Sequence, residues 1–391
     1  MVPSGISTEP YKSPRITVAF VLPHLKMGGI EHVVLRLANG LDRSRYRPIL
    51  FLRRGEGELL QQLATDVLVL DAQGRRSILL APFLARKFHQ QKVDVVYSGT
   101  NAINLACIMA LALMRRRARP RLMISEHSSA DAYLAGAKAQ KLRRAVVHAL
   151  YPRADLLVTP LESIAQDWKH ALGLGAMTHA VAPNPVLEAG WKSFSDGRIP
   201  RQAGLVVAAG RLIADKGFDL LIGAFGTVAR SRKDARLKIY GEGPKRAWLQ
   251  SLIDAQGLGE TITMPGLTNK LMAEFASASA VAVPSRREGF GNVVVEAMAA
   301  GAPIVATDCA GPRVLLTGLA HAKIIGIDDQ PGLAAALMAI LSRPIDLAAQ
   351  SAAQLRASQY GVEASVRVFA GLIEQVLSQP ASLGIADHKA V

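Results

Sequence analysis

The first strong pattern in the sequence is Ile16–Leu22, a run that is apolar except for one threonine and leads into a Gly-Gly pair. The apolar residues of Ile30–Leu41 then repeat at helical spacing. A run of this kind is typical of a strand buried on both faces of a parallel sheet. Strand, glycine loop and helix in this order predict a βαβ unit, and parallel strands require such helical crossovers.

The alternation of strands and helices runs on to Ala182, stops in the polar stretches Pro183–Pro185 and Lys192–Gly204, and restarts at Leu205–Ala209. A length of 391 residues suits two domains. The pattern therefore predicts an α/β protein with two doubly wound, Rossmann-like halves in tandem. The predicted boundaries are an N-terminal segment 1–14, a first domain 15–190, a linker 191–204, a second domain 205–360, a C-terminal helix 361–378 and a tail 379–391.

Three local predictions are specific enough to be tested. In the first half, the pattern predicts a helix over Glu58–Ala64 and a basic helix over Ala137–Tyr151. In the second half, it predicts no helix or strand between the strands Pro303–Thr307 and Lys323–Ile327.

The charge is strongly basic, with a net value of +15, of which +11 falls in the first 190 residues. Such an excess can attract nucleic acid, an anionic membrane surface or an anionic substrate, or it can serve solubility alone. An aromatic content of 5% and the absence of a recognised binding module argue against nucleic acid. The basic helix, with Lys138, Lys141, Arg143 and Arg144, is a candidate contact for a membrane surface or a lipid diphosphate. An ordinary solvated cationic face explains it equally well.

The two cysteines, Cys107 and Cys309, are about 200 positions apart and form neither a metal-binding spacing nor a disulfide framework. The first residues lack the basic and apolar regions of a secretory signal. The run Ile103–Met114 is shorter than the roughly 20 residues of a membrane-spanning helix. We therefore expect a cytoplasmic protein, with a peripheral position on the inner face of the cell membrane as a further option.

The segment Val283–Thr307 carries the strongest chemical signal. Glu288 and Glu296 have seven residues between them, and the glycine loop Gly289, Phe290, Gly291 and Asn292 stands at the start of a predicted helix. Free backbone N–H groups at a helix start can bind hydroxyls or phosphate, and carboxylates can accept hydrogen bonds from a polyol. From the spacing alone, a capped surface turn remains the alternative.

This segment resembles the E-x7-E motif of retaining glycosyltransferases with the two-domain GT-B fold, in particular glycosyltransferase family 4 of the group 1 type. The resemblance implies that Glu288 contacts the donor sugar near its C3/C4 side and that Glu296 binds the nucleotide ribose. It also places the backbone of Gly289–Asn292 at the sugar hydroxyls. Gly-Asn follows Glu-Gly-Phe where another pair is frequent, which leaves the identity of the sugar open.

Other segments resemble the same family in the expected order. In Gly210–Phe225, the resemblance implies that Arg211 and Lys216 bind the donor diphosphate, as two fixed cations beside a leaving group would. Ile239–Gln250 resembles the next element near the nucleotide, and the backbone near Leu267 is expected at the base.

The first half matches the family in shorter islands. Gly28 and Gly29 in Met27–Leu41 would let the backbone approach the donor phosphates or the acceptor closely. His127 in Ile124–Ser129 would lie beside the reacting sugar near its C6 side, although a lone histidine is usually an ordinary hydrogen-bonding residue. Pro183–Val186 resembles the segment before the interdomain linker.

The resemblance implies two Rossmann-like domains facing a cleft and transfer of a hexosyl unit from a nucleoside-diphosphate sugar to a hydroxyl, with retention at C1. His127 and Glu288 are the expected catalytic residues. The donor, a UDP-sugar or a GDP-sugar, is a substrate, and neither a cofactor nor a metal is expected. The expected acceptor is a glycan or lipid-linked sugar, such as an undecaprenyl-diphosphate-linked sugar of bacterial cell-surface glycan synthesis.

Two other functions stay open at this point. A non-hydrolysing sugar-nucleotide epimerase would share the architecture without an acceptor, although the E-x7-E spacing argues against it. A basic binding protein without catalysis is the second alternative. A dinucleotide dehydrogenase is disfavoured, because no G-x-G-x-x-G follows a strand with an acidic residue about 20 positions later.

Overall fold

The computed structural model describes residues 15–75, 77–134, 140–194, 198–344 and 346–379. Two parallel sheets flanked by helices make up the fold, which confirms the predicted α/β class. The chain divides into two compact units, residues 1–124 with 375–391 and residues 125–374. The domain boundaries given above stay a prediction.

The first sheet has seven strands in the order β3-β2-β1-β4-β5-β6-β7. Its central strand β1 has six consecutive buried residues, as expected for a strand covered on both faces. The strands of this sheet are β1 Ile16–Leu22, β2 Tyr46–Leu52, β3 Leu68–Asp71, β4 Val95–Gly99, β5 Arg121–Ser125, β6 Leu156–Thr159 and β7 His179–Val181.

Helices connect these strands, and α1 illustrates how an apolar stripe is buried. In α1, for example, Val33, Val34 and Leu37 are buried at helical spacing. The helices of this part of the chain are α1 Gly29–Gly40, α2 Ser77–Gln90, α3 Asn101–Ala112, α4 Ala130–Leu134, α5 Gln140–Leu150 and α6 Glu162–Leu172.

The second sheet has six strands in the order β10-β9-β8-β11-β12-β13, and all of its strand pairs are parallel. Its core joins β8, β9 and β11 to α7, α8 and α12, with Phe225 and Leu221 fully buried. The strands are β8 Gln202–Ala209, β9 Arg236–Tyr240, β10 Ile262–Gly266, β11 Ala278–Val283, β12 Ile304–Thr307 and β13 Ala322–Ile325. The helices are α7 Phe218–Ser231, α8 Arg246–Ala255, α9 Leu271–Ser277, α10 Asn292–Ala299, α11 Ala310–Leu316, α12 Gln330–Leu341, α13 Leu347–Ala357 and α14 Val362–Ser378.

A backbone bridge joins the segment after β7 to the residues before α14. The amides of Val186 and Leu187 both donate to the carbonyl of Tyr360, at 2.8 and 3.0 Å, and the amide of Val362 donates to the carbonyl of Leu187 at 2.9 Å. The Tyr360 ring also packs edge-on against Phe290, with 5.4 Å between the ring centroids.

Two local predictions are corrected, and a third, the basic helix, is confirmed where the structure describes it. The segment predicted as a helix over Glu58–Ala64 forms only a 3-10 turn over Glu58–Gln62, because its start is tied to Leu25 through the Leu59 amide. The basic helix is described from Gln140 to Leu150, and residues 137–139 with Lys138 lie outside the described residues. Helix α11 was missed because Gly311 and Pro312 indicate a loop; proline is accepted in a first helical turn, where its missing N–H is not needed.

None of the described helices combines the length and the apolar composition needed to cross a membrane.

Candidate active site

The point where the second sheet reverses its strand order is the natural place for a ligand. From β8 the chain adds β9 and β10 on one side and then returns to add β11 on the other. The loops after β8 and β11 therefore leave neighbouring strand ends in opposite directions, which opens space at the carboxyl edge of the sheet. These loops are residues 210–217 and 284–291, and they hold half of the site residues that the sequence singled out.

An ion pair joins the two loops. The Lys216 Nζ donates to Glu288 Oε2 at 2.5 Å, and the side chains are 22% and 14% exposed. The buried Ser285 hydroxyl lies 3.5 Å from the same carboxylate oxygen. The structure thus brings together two residues that lie 72 positions apart in the sequence.

Arg286, which directly follows Ser285, also holds the two loops together. Its guanidinium forms a bidentate pair with Asp219 at 2.8 Å for both bonds, and it contacts Asp328 at 2.6 Å. Its backbone amide donates to the carbonyl of Asp215 at 2.8 Å, and Arg287 pairs with the Asp215 carboxylate at 2.7 Å. The Asp219 hydrogen bonds, with a smaller contribution from Asp328, raise the pKa of Arg286.

Partial burial alone would raise the pKa of Asp219, but its hydrogen bonds with Arg286 outweigh burial and leave the pKa below its ordinary value. The carboxylate and the guanidinium are therefore both charged over the neutral range. Bidentate pairs of this kind fix geometry as well as charge.

Glycines allow these loops to approach one another. Gly217 has a φ of 63°, and a Cβ there would collide with the carbonyl oxygen of Pro284. Gly241, with a φ of 136°, lies against the carbonyl of Gly210 in the same way. Both positions combine a left-handed backbone with a close contact to another main chain, so both require glycine.

The loop that follows Glu288 is enclosed from two sides by backbone. A Cβ on Gly289 would collide with the carbonyl of His127, and a Cβ on Gly311 would collide with the carbonyl of Phe290. The Gly311 amide donates to the carbonyl of Glu288 at 3.3 Å. Gly291 has a φ of 94° and precedes α10, so this loop turns directly into the helix that carries Glu296.

His127 lies beside this loop and is held neutral. Both ring nitrogens are buried, and neither has a hydrogen-bond partner among the described residues. Burial lowers the pKa of His127 to about 4, and the Asn184 side chain beside it offsets this in part. Asn184 is 4% exposed and donates from Nδ2 to Asn292 Oδ1 at 3.0 Å.

Two further predicted residues lie at the surface. Arg211 is exposed, and its guanidinium has no hydrogen-bond partner within the described parts of the chain. Leu267 is 65% exposed in the loop after β10. Glu296 is half-buried in the second turn of α10.

The first sheet has its own reversal point, between β1 and β4. Gly28 and Gly29 follow β1 at the start of α1, and Thr100 follows β4 with a φ of 138°, which is unusual for a β-branched residue. A Cβ on Gly29 would meet nothing within 4 Å, and a Cβ on Gly28 would meet only the movable Glu31 carboxylate. Glu31 is itself buried and lies 3.5 Å from His24.

Within the described residues, no group of three or more histidine, cysteine, aspartate or glutamate side chains is arranged to hold a metal ion. Cys107 and Cys309 are free and buried, and burial raises the pKa of both thiols.

Sequence reasoning missed several residues of this region. The Arg286-Arg287 pair directly before Glu288 was a usable signal, whereas the partners Asp215, Asp219 and Asp328 become visible only in three dimensions. Asn184 lies in Pro183–Val186, a segment whose resemblance implies only a position before the interdomain linker.

Two family models match the chain. The model described as Glycosyltransferase Family 4 matches residues 27–187, and the model described as Glycosyl transferases group 1 matches residues 203–343. The second of these matches contains the reversal point of the second sheet, and the first begins at Met27, in the loop that follows β1.

Relatives and solved structures agree with these matches. A Campylobacter jejuni enzyme, N-acetylgalactosamine-N,N'-diacetylbacillosaminyl-diphospho-undecaprenol 4-alpha-N-acetylgalactosaminyltransferase, is 27% identical over 67% of this chain and 72% of its own length. The Rhizobium meliloti lipopolysaccharide core biosynthesis glycosyltransferase LpsD is 31% identical over 45% of this chain and 49% of its own. With other curated relatives, the chain spans 20% to 61% of their length.

Anabaena HepE in complex with UDP-glucose superposes with a TM-score of 0.75 at 19% identity, covering 92% of this chain and all of that one. This likeness shows the GT-B fold that the sequence predicted.

Proposed function

Because this chain belongs to the group 1, family 4 type of glycosyltransferases, we propose that it moves a hexosyl unit from a nucleoside-diphosphate sugar to an acceptor hydroxyl with retention at C1. The observation that carries the proposal is the Lys216–Glu288 pair at the reversal point of the second sheet. The pair places a cation that can bind a diphosphate next to a carboxylate that can accept hydrogen bonds from sugar hydroxyls.

Lys216, together with the exposed Arg211, stabilises the charge that develops on the leaving diphosphate. Glu288 accepts hydrogen bonds from the sugar hydroxyls, with the Gly289–Asn292 backbone beside it. In the step itself, the C1–O bond to the phosphate breaks and a C1–O bond to the acceptor forms on the same face. The proton of the acceptor hydroxyl passes to the departing phosphate oxygen, so no covalent enzyme intermediate is needed.

The remaining predicted residues have supporting roles in this proposal. Glu296 binds the ribose, the backbone near Leu267 contacts the base, and His127 lies at the sugar. Gly28 and Gly29 leave room for the acceptor or the phosphates, which agrees with the open space beside Gly29. A UDP-sugar is the first donor to test, since HepE was crystallised with UDP-glucose.

The proposed acceptor is a lipid-linked sugar or glycan precursor of bacterial cell-surface synthesis. The names of the Campylobacter and Rhizobium relatives support this class of acceptor. We also propose that α5 contacts an anionic membrane surface. Five consecutive residues of α5, 141–145, are exposed; they include three cations, and Leu142 is 65% exposed. If vesicles of anionic lipid fail to bind the protein at low salt, the membrane part of the proposal is wrong.

The donor site is tested by thermal unfolding with UDP, GDP and ADP. Ligand at about 100 times its dissociation constant stabilises the folded state by roughly 2.7 kcal/mol, so we expect a clear rise in Tm with one nucleotide. The double variant Arg211→Ala/Glu296→Ala should lose this shift. The matched control is Arg236→Ala/Glu260→Ala, which removes the same two residue types from exposed positions at the start of β9 and in the loop before β10.

A wild-type protein that is folded and shows no shift with any nucleotide would refute the proposed donor site. Transfer that stops on addition of EDTA would refute the metal-free mechanism. If the donor alone were converted to an epimer without an acceptor, the reaction class would be wrong.

A further inference from the structure

The segment that carries Glu288 is held by a side chain from the neighbouring strand. The fully buried Thr307 ends β12, and its hydroxyl donates to the carbonyl of Ser285 and lies 3.3 Å from the carbonyl of Val283. The pairing of β11 with β12 stops at Val283, and Pro284 has no N–H with which to continue it. The Thr307 hydroxyl therefore satisfies backbone carbonyls at the point where the strand ladder stops.

A second side chain from the same turn reaches the same carbonyl. Cys309 is 5% exposed and directly precedes α11, and its Sγ donates to the Ser285 carbonyl at 3.1 Å. Burial is the main cause that raises the pKa of this thiol, so the thiol is neutral and keeps the proton that it donates. A carbonyl oxygen has two lone pairs, so it can accept from Thr307 and Cys309 together.

The carbonyl that these side chains hold belongs to a residue whose hydroxyl faces Glu288. Ser285 is 1% exposed, and its hydroxyl lies 3.5 Å from Glu288 Oε2, the oxygen that also accepts from Lys216. In the peptide unit that follows Ser285, the Arg286 amide donates to the carbonyl of Asp215 at 2.8 Å. This peptide unit is thus held at both its carbonyl and its N–H, which fixes its plane and the direction of the Ser285 side chain.

We propose that Thr307 and Cys309 are positioning residues of the donor site, which act on Glu288 through the residue whose carbonyl they hold. The proposal rests on the proposed function and goes further, because it gives roles to residues outside the set that the family resemblance implies. The Ser285 hydroxyl and Lys216 both lie at Glu288 Oε2, so they fix the carboxylate with its other oxygen, Oε1, directed to the sugar hydroxyls.

The expected size of the effect follows from what remains in place when Thr307 is changed. Arg286 still holds the loop through its bidentate pair with Asp219, so Glu288 changes direction without leaving the site. A misplacement of about 1 Å in an active site can cost about 100-fold in rate, and a smaller change of direction should cost about tenfold.

The test is a set of variants measured in a steady-state transfer assay. The donor probes are UDP-glucose, UDP-galactose, UDP-N-acetylglucosamine and GDP-mannose, with a lipid extract of bacterial membranes as acceptor, and the donor with the fastest turnover is used throughout. Thr307→Val replaces the hydroxyl by a methyl group of similar size, and Ser285→Ala removes the hydroxyl that faces Glu288. Each should lower kcat about tenfold, whereas the Kd of the free nucleoside diphosphate should stay within about twofold of the wild type.

Conservative variants separate the hydroxyl from the shape of the side chain. Thr307→Ser keeps the donor and should retain kcat within about threefold of the wild type. Cys309→Ala removes the second donor and should lower kcat about threefold, because a thiol is the weaker donor. The Cys309 variant gives an independent test of the proposal if Thr307→Val does not fold.

The double variant Ser285→Ala/Thr307→Val distinguishes positioning from general structural damage. If Thr307 acts through the Ser285 hydroxyl, the double variant should lose less than about twofold beyond Ser285→Ala alone, whereas independent effects would multiply to about 100-fold. Thr261→Val is the control, because the Thr261 hydroxyl donates to the Leu258 carbonyl at 3.0 Å directly before β10, at the opposite edge of the sheet. This control should lower stability and leave kcat unchanged.

The outcomes separate the two proposals. Transfer by the wild type that neither Thr307→Val nor Cys309→Ala slows would overturn the positioning role and leave the proposed function standing. Losses that multiply in the double variant would do the same. A folded wild-type protein that binds none of the nucleoside diphosphates would overturn the proposed function and the positioning role with it.

Discussion

The two sheets reverse their strand order in the same way, yet the two reversal points differ in chemistry. In the second sheet the loops after β8 and β11 are joined by the Lys216–Glu288 pair and by the ion pairs of Arg286. In the first sheet the corresponding loops after β1 and β4 carry Gly28, Gly29 and the unusual backbone of Thr100. The same topology therefore supports loops joined to each other by ion pairs in one place and, in the other, a loop end where a Cβ on Gly29 would meet nothing within 4 Å.

The difference changes how glycine should be interpreted. Gly217 and Gly289 are required by the protein itself, because another main chain occupies the space of a Cβ. Gly29 has open space at that position, so the fold gives no reason for a glycine there. Gly259 and Gly318 have the same open space, so the case for Gly29 in binding rests on its position after β1 at the reversal point of the first sheet.

The largest expected effect is on stability, at the loops that meet at the reversal point of the second sheet. Gly217→Ala forces a side chain into a left-handed position and against the Pro284 carbonyl, and we expect a loss of about 3–4 kcal/mol in the free energy of unfolding. Urea denaturation measures it. Gly259→Ala, with nothing within 4 Å of the added Cβ, is the control. A loss below about 1 kcal/mol for Gly217→Ala would mean that the two loops are not held in contact.

The charged contact itself should dominate activity. Lys216→Ala removes the half-buried cation proposed to stabilise the leaving diphosphate, and we expect kcat to fall about 100-fold, equivalent to about 2.7 kcal/mol. Lys238→Ala is a matched control, because Lys238 pairs with Glu274 at 3.1 Å with similar exposure. Equal effects of the two variants in a steady-state transfer assay would show that the Lys216 pair has only a structural role.

Acid should weaken the protein through its buried histidines. Burial lowers the pKa of His127 from 6.5 to about 4. Burial and the nearby Arg201 lower the pKa of His321 to about 4 as well, and Asp346 opposes this with a smaller effect. Below pH 6.5 these histidines bind protons in the unfolded chain but not in the folded protein. Their contribution to the free energy of unfolding is therefore fully present above pH 6.5 and is lost as the pH falls towards 4. We expect each histidine to contribute about 2 kcal/mol of this loss.

Urea denaturation between pH 7 and 4.5 checks this dependence. His127→Gln should make the stability profile shallower, and adding His321→Gln should make it shallower again by a similar amount. A profile that the double variant leaves unchanged would show that neither imidazole is neutral in the folded protein for the reason given.

The smallest effect on stability is expected at Gly29, at the reversal point of the first sheet. Gly29→Ala adds a methyl group to open space in the first turn of α1, where alanine is a better helix former, so the free energy of unfolding should change by less than about 0.5 kcal/mol. Binding of donor or acceptor should nevertheless weaken, as measured by KM for each substrate. If both KM values and the stability stay unchanged, the glycine has no part in binding.

Sequence patterns were sufficient for the fold because buried parallel strands are nearly continuous apolar runs, as in β1. The patterns failed where the local residues favour a different structure from the one that forms. Helix α11 is an example, because its Gly311 and Pro312 indicate a loop. Two separate resemblances assigned Lys216 and Glu288 to one donor site, but neither of them predicted the ion pair between the two side chains. The partners of Arg286 and the buried amide of Asn184 could not be predicted, because both depend on which loops the sheet places side by side.

The backbone bridge between Leu187 and Tyr360 closes a large part of the chain into a ring without a covalent link. A single cut between Leu187 and Gln202 should therefore leave the two fragments associated, through three main-chain hydrogen bonds and the side-chain hydrogen bond between Asn184 and Asn292. The same position is a rational place to divide the gene, so that two separately made polypeptides report on their own reassembly.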